Sequence, residues 1–311
     1  MILKRNFNPL RVVSYVGREM AFAAIISLSV FAAQHYGFLG FSLPFSVAAI
    51  LGSALAIFIA FRNNSAYGRW WEARTLWGNI VNGSRVIGRL IISFTDSHRH
   101  QAGYQEDRSI LFKQEMVYLS IAWAHALRLH LRQQDDWEEV LRLLPEDTRL
   151  NFIEARHKPN YLHMVFSRKL YDAMANGTLG GFDSFQVEGQ LLALANAQGG
   201  CERIKHTPLL RQYHYFTKIF LLAFMFVLPL CLAGDFSRAG IDALMVPVSL
   251  LIIFVFAIMG KVGEVNEDPF EQRITDVPLT AITNTIERDL REMLGETDLP
   301  AKVEPSGGFL F

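Results

Sequence analysis

The histidines and cysteines are the residues of this chain best suited to catalysis or metal binding, and their spacing speaks against both. His98 with His100, and His125 with His130, could supply imidazole ligands. No H-E-x-x-H and no cysteine pair at ligand spacing accompanies them. They read as solvated or core histidines, so neither a metal nor a cofactor is expected. Neither G-x-S-x-G nor a Walker loop occurs, and the glycine-rich run from Gly177 to Gly181 lacks the Lys-Ser/Thr that would follow in a phosphate loop. Cys231 falls in an apolar stretch and Cys201 outside it, which makes a bridge between them unexpected. An enzyme is therefore not the reading these residues favour.

What must position such side chains is legible in the distribution of charge. The 30 Lys and Arg balance 30 Asp and Glu, which excludes a basic nucleic-acid footprint, and 51% hydrophobic residues exclude a disordered polymer. From Met20 to Phe61 there is no Asp, Glu, Lys or Arg. A bilayer core of about 30 Å takes about 20 helical residues, so this stretch is too long for one crossing and suits two. The break is expected between Gln34 and Pro44, where Gly37, Gly40 and a Pro44 suited to a helix's first turn mark a tight hairpin. A second pair is expected at Ile219–Gly234 and Ala243–Gly260, the first starting early, in the aromatic run Tyr213–Phe216. Pro229 and Pro247 lie inside these segments, where membrane helices tolerate proline. Ala32-Ala33 after a basic start superficially resembles a cleaved secretory signal, but the apolar stretch resumes at once.

Basic residues flank one side of all four spans: Lys4, Arg5, Arg11 and Arg18; Arg62, Arg69 and Arg74; Arg203, Lys205, Arg211 and Lys218; and Lys261. The two short connections hold only Arg238. That asymmetry predicts cytoplasmic termini and a cytoplasmic middle. The expected organisation is residues 1–61 with the first membrane pair, 62–212 as a helical cytoplasmic domain, 213–260 with the second pair, and 261–311 as a cytoplasmic C-terminal segment. Within the middle, apolar residues at three and four spacing predict helices over Ile110–Leu131 and Trp137–Leu144. Breaks are expected at Asp96–Asp107, Leu144–Asp147, His157–Asn160 and Asn176–Ser184, the last with Asp183 or Ser184 as helix cap. The second span runs into Phe61-Arg62-Asn63-Asn64 without Gly or Pro, which predicts a helix continuing beyond the membrane.

The segment Phe61-Arg62-Asn63-Asn64-Ser65-Ala66-Tyr67-Gly68-Arg69-Trp70-Trp71-Glu72-Ala73-Arg74, followed by Leu76-Trp77-Gly78, resembles the prokaryotic bestrophins. His125-Ala126-Leu127-Arg128, Gln198–Ile204 with Thr207-Pro208, and Pro269-Phe270 with Asp276-Val277-Pro278-Leu279 agree with it in the right order. The resemblance implies an all-α membrane protein with four transmembrane helices per subunit and a helical cytoplasmic domain. It implies a homopentameric ion channel of a bacterial inner membrane, with a central pore lined by the second helix and a vestibule closed by an aperture.

In that second helix Gly52, Ala56 and Ala60 form a small-residue stripe that allows close helix approach, and Ser53, Ile57 and Phe61 form the stripe beside it. On spacing alone the latter are ordinary packing or lipid-facing residues. The resemblance makes Ile57 and Phe61 rings of a hydrophobic neck, with Ser53 where a bulkier apolar residue is expected, and points to Phe182 as the aperture residue. Trp70, Trp71 and Trp77 read as interfacial or packing aromatics, and Arg62, Arg69 and Arg74 as headgroup or interhelix ion-pair partners. Selectivity for small monovalent ions leans to cations, since only one aromatic ring offers positive edges to an anion. An anion (chloride) channel, or a non-conducting membrane-anchored interaction protein, is the alternative. Animal bestrophins carry a calcium-binding acidic run after Asn-Pro-Phe; here Arg273 interrupts it, opposing a hard dication. The tail from Glu296 is expected to be extended and mobile on composition, yet it ends in Phe309-Leu310-Phe311, which suggests a docking surface on its own or the next subunit.

Overall fold

The computed structural model describes residues 1–4, 9–38, 40–100 and 103–311. Arg5, part of the expected basic flank, lies outside the described residues. The described chain is all-helical, with isolated β-bridges at Ile2–Phe309 and Ser306–Phe309. The α-helices are α1 (Pro9–Tyr15), α2 (Gly17–His35), α3 (Phe45–Ser97), α4 (Glu106–Arg132), α5 (Glu138–Leu143), α6 (Glu146–Glu154), α7 (Lys158–Ala175), α8 (Gly181–His206), α9 (Arg211–Arg238), α10 (Met245–Asn266) and α11 (Leu279–Met293). They fall into two units: residues 4–70 with 208–268, and residues 1–3 with 71–207 and 269–311. Helix α3 is continuous across the boundary between Trp70 and Trp71, as the unbroken sequence after Phe61 predicts.

In the first unit, α2, α9, α10 and the first half of α3 bury Ala23, Ile26, Leu55, Ile59, Phe224, Leu228, Cys231 and Ile253 together. Gly52 makes this possible on the α3 side. A Cβ there would stand 3.2 Å from the Phe224 ring, so a larger residue would require the ring to give by a few tenths of an ångström, and glycine favours this close approach. The expected break is observed, with α2 ending at His35, α3 starting at Phe45 and Gly37 at φ +73°. Helix α9 does begin before the apolar run, at Arg211, and carries Pro229 in its interior. Helix α10 runs six residues past Gly260. Among the described residues, three helical stretches are long and apolar enough to cross a membrane, those that hold α3, α9 and α10. Helix α2 is 19 residues, about 28 Å at 1.5 Å per residue, with Arg18 and Glu19 in its first turn.

In the second unit α4 is central, buried without interruption from Leu119 to Leu129 and packed by α5, α7, α8 and α11. The second half of α3 buries Ala73, Trp77, Ile80, Ser84, Ile87, Ile91 and Thr95, one stripe at three and four spacing. Trp77 is thus a core side chain, and Cys201 is a buried free thiol like Cys231. The cap of α8 differs from expectation. The helix starts at Gly181 with Gly180 as N-cap, and Asp183 sits at the third position, its carboxylate accepting the Gly180 N–H at 3.0 Å. A carboxylate at N3 reaches back to the cap's own amide, so Asp183 serves the helix start from within.

The tail is extended, as its prolines and glycines require, but it is held. Arg288 donates to Pro300 O, Asn284 to Ala301 O at 3.1 Å, and Ala281 N to Phe311 O at 2.8 Å. Leu3 N donates to Gly308 O and Leu310 N to Met1 O, so the docking surface is the chain's own α11 and first residues. Composition predicted mobility because it counts no partners; α11 supplies them. Deleting residues 300–311 is expected to cost about 3 kcal/mol of α11's local stability, at about 1 kcal/mol for each of the three hydrogen bonds lost. Amide exchange along α11 checks this; unchanged protection refutes it.

Candidate pore-lining face

Ser53, Ile57 and Phe61 occupy successive turns of α3 on the side away from Leu55, Ile59 and Ala66, which are fully buried. Ile57 is 56% and Phe61 61% exposed, large apolar side chains left outside their own unit's core. The Ser53 hydroxyl donates to Ala49 O at 2.8 Å, so it is spent on the helix backbone and presents little polarity outward. Between Phe45 and Phe61 this face carries no ionisable group. Of the small-residue stripe, Gly52 meets a neighbouring helix, whereas Ala60 is exposed beside Phe61.

One residue beyond Phe61 the helix is pinned. Arg62 is 2% exposed; its guanidinium donates to Gly260 O at 3.4 Å and to Glu267 Oε2 at 3.3 Å, and lies 2.8 Å from His214 Nδ1. Asn63 donates to Met259 O at 2.9 Å, and Arg69 Nε to Glu267 O at 2.9 Å. Gly263 is the counterpart on α10, because any Cβ there would collide with Asn63 Oδ1. These contacts fix the rotation of α3 about its axis, and that rotation decides which stripe faces outward. The ion-pair role expected for Arg62 and Arg69 is what the geometry holds. Arg62→Lys is expected to cost about 2 kcal/mol in thermal unfolding, because a point charge cannot span three acceptors that the planar fork reaches at once. A variant as stable as the parent would show that the fork is dispensable.

The acidic residues at the end of α10 and after it are engaged in ion pairs and hydrogen bonds. Glu264 pairs with Lys261 at 3.0 Å, Glu267 with Arg62, and Asp268 with Arg69 at 3.9 Å. Asp276 is buried and accepts the Arg273 backbone N–H at 3.0 Å. Its oxygens close a turn, which leaves little for a hard dication needing several ligands.

In the other unit Phe182 is 78% exposed in the first turn of α8, and Phe185, one turn on and equally exposed, accompanies it. Sequence reasoning missed Phe185; its signal is the i, i+3 spacing of two large apolar residues at one helix start. Of the histidines paired by sequence, His125 and His130 separate in space. His98 Nε2 lies 2.8 Å from Asp183. His125 is buried between Glu139 and Glu287, each 3.0 Å from one ring nitrogen, with Arg128 also on Glu139. Burial opposes its charge, but the two carboxylates outweigh burial and hold its pKa above the ordinary value. His125 in turn draws Glu139 down to about 2. His130 instead joins His157 and Glu202. Helix positions five apart point to different sides, so His125 and His130 could not act as one site.

The family model described as Bacterial/Fungal Bestrophin protein matches residues 7–292. The voltage-dependent anion channel-forming protein YneE of Salmonella typhi is 33% identical over 272 residues, covering 87% of this chain and 83% of that protein. YneE of Escherichia coli (strain K12) is 30% identical over 296 residues, covering 94% and 91%. A crystal structure of a bacterial bestrophin homologue from Klebsiella pneumoniae superposes with a TM-score of 0.78 at 28% identity, over 90% of this chain and 99% of that one. The motif after the second span, the all-helical architecture and these matches agree: the chain belongs to the bacterial and fungal bestrophin family.

Proposed function

We propose that this chain is one subunit of a homopentameric channel in a bacterial inner membrane, conducting small monovalent ions through an uncharged neck. Four helices cross in this reading: α2, the first half of α3, α9 and α10, with both termini cytoplasmic. Ser53, Ile57 and Phe61 line the neck and Phe182 lines the cytoplasmic aperture; no covalent chemistry is involved. The carrying observation is the stripe of exposed apolar side chains on α3, held outward by the Arg62 contacts. A row of large apolar groups left uncovered in one subunit suits a symmetric axis, where rings of them form a constriction that gates by dewetting.

The relatives are named anion channel-forming proteins, and the anion reading therefore displaces the lean toward cations. The neck chemistry supports it: cation pathways use rings of Asp or Glu, and this face carries no carboxylate. Reversal potentials of the protein reconstituted in liposomes under a sodium chloride gradient test both levels. A potential near the chloride equilibrium value supports the anion channel; one near the sodium value overturns the selectivity; absent conductance overturns the channel.

A further inference from the structure

The second unit contains a convergence of imidazole and carboxylate groups that channel conduction does not use. His130 lies in the last turn of α4, His157 at the N-cap of α7 and Glu202 near the end of α8. One ligand atom from each lies within 4.8 Å of the others. His157 Nε2 is 3.2 Å and His130 Nε2 4.0 Å from Glu202 Oε1. His206 stands one turn beyond Glu202 on α8, its ring centroid 6.4 Å from that of His130. We propose that His130, His157 and Glu202 form a three-ligand site, its fourth position open to solvent, for a borderline transition-metal dication of the zinc type.

The geometry fits. Zinc takes nitrogen and carboxylate ligands at about 2.0 to 2.1 Å in a tetrahedron, whose edges are then about 3.4 Å; the two measured separations, 3.2 and 4.0 Å, bracket that length. The carboxylate is held in place: Gln198 donates to Glu202 Oε1 at 2.8 Å, and Trp123 Nε1 donates to Gln198 Oε1 at 2.9 Å. A buried amide fixed by an indole is the kind of outer support that orients metal ligands. The C-termini of α4 and α8 both end here, and their negative dipole ends favour a cation. Two basic residues close by in sequence on α8 are ion-paired elsewhere, Lys205 with Glu271 at 2.5 Å and Arg203 with Glu72. Burial, then the neighbouring His157, keeps the His130 pKa below its ordinary value, which leaves a neutral ring at neutral pH.

The contrast with the His125 cluster sharpens the assignment. There both ring nitrogens face carboxylates and Arg128 adds a fixed positive charge, so the imidazole is a cation with no lone pair to give. At His157, Nδ1 accepts the Asn160 N–H at 3.3 Å, which places the ring proton on Nε2 facing Glu202. A metal on Nε2 needs the lone pair there, so the single ring proton shifts from Nε2 to Nδ1 and the Asn160 amide loses its acceptor. Binding is therefore coupled to the first turn of α7.

The test uses the untagged, chelator-stripped full chain in detergent, titrated with Co²⁺ and competed with Zn²⁺. One equivalent of Co²⁺ per subunit is expected, with the visible bands of a tetrahedral site, displaced by Zn²⁺. His130→Ala and His157→Ala are expected each to weaken binding by about 100-fold. His157 is 42% exposed, so its variant folds, and parental thermal unfolding without metal verifies this. Zn²⁺ should raise the unfolding midpoint of the parent and not of His157→Ala, and should speed exchange of the Asn160 amide. Equal Co²⁺ affinity in the parent and in the His130→Ala, His157→Ala double variant overturns the site.

Discussion

Phe61→Ala is expected to raise ion flux by about tenfold or more in reconstituted liposomes, a lowering of the conduction barrier by at least about 1.4 kcal/mol. Ile57→Ala acts in the same direction with a smaller effect, since it removes fewer apolar atoms from its ring. The barrier in an uncharged constriction is the cost of keeping water and ions between apolar walls, and it falls as the walls recede. Both side chains are mostly exposed within the subunit, so truncation leaves the packed face of α3 intact and the folded protein should keep its thermal midpoint. Flux is compared at equal protein loading and equal oligomer size. Unchanged flux in both variants, with assembly preserved, refutes the neck; a fall in flux would mean that these residues stabilise the open pathway instead.

His125→Ala is expected to cost about 3 kcal/mol, the scale for removing one partner from a buried charge network and leaving a cavity. Glu139 and Glu287 would keep Arg128 and Arg291 as partners, which holds the loss below the extreme. The pH dependence follows from the same contacts. His125 has a folded pKa raised above 6.5, so its contribution is complete below about 6.5 and fades as pH rises through the folded value. Glu139 is lowered to about 2, and Glu287 is lowered too: burial pushes it up, but His125 and Arg291 outweigh that. Their contributions are complete above about 4.5 and fade as pH falls. The network is therefore at full strength between about pH 4.5 and 6.5. These shifts describe one coupled titration and count once. Thermal unfolding across pH 4 to 9 should show an alkaline decline in the parent that His125→Ala lacks; parallel declines in both would assign it to other groups.

Much of this architecture is legible in the chain alone, because the signals are local. The absence of charge from Met20 to Phe61, the glycines and Pro44 near the hairpin, and the apolar periodicity of α4 each act over one or two helical turns. They locate the helices to within a few residues, as α2, α3, α4 and α9 show. The segment from Phe61 to Gly78 likewise carries the family in its residue types and order. Local patterns are silent about rotation and pairing. Whether Ser53, Ile57 and Phe61 or the small-residue stripe would face outward depended on Arg62 meeting Glu267, about 200 positions later. The cap of α8 fell to Gly180 because Asp183 reaches backward, a choice between neighbours that composition cannot make. The tail reads as mobile until α11 offers Asn284, Arg288 and Ala281. Most plainly, His125 and His130 look like a pair in sequence, but five residues on a helix turn them apart. Tertiary structure gave one to Glu139 and Glu287 and the other to His157 and Glu202. Chemistry between side chains depends on distances of 3 to 4 Å between segments that the chain brings together only when it folds.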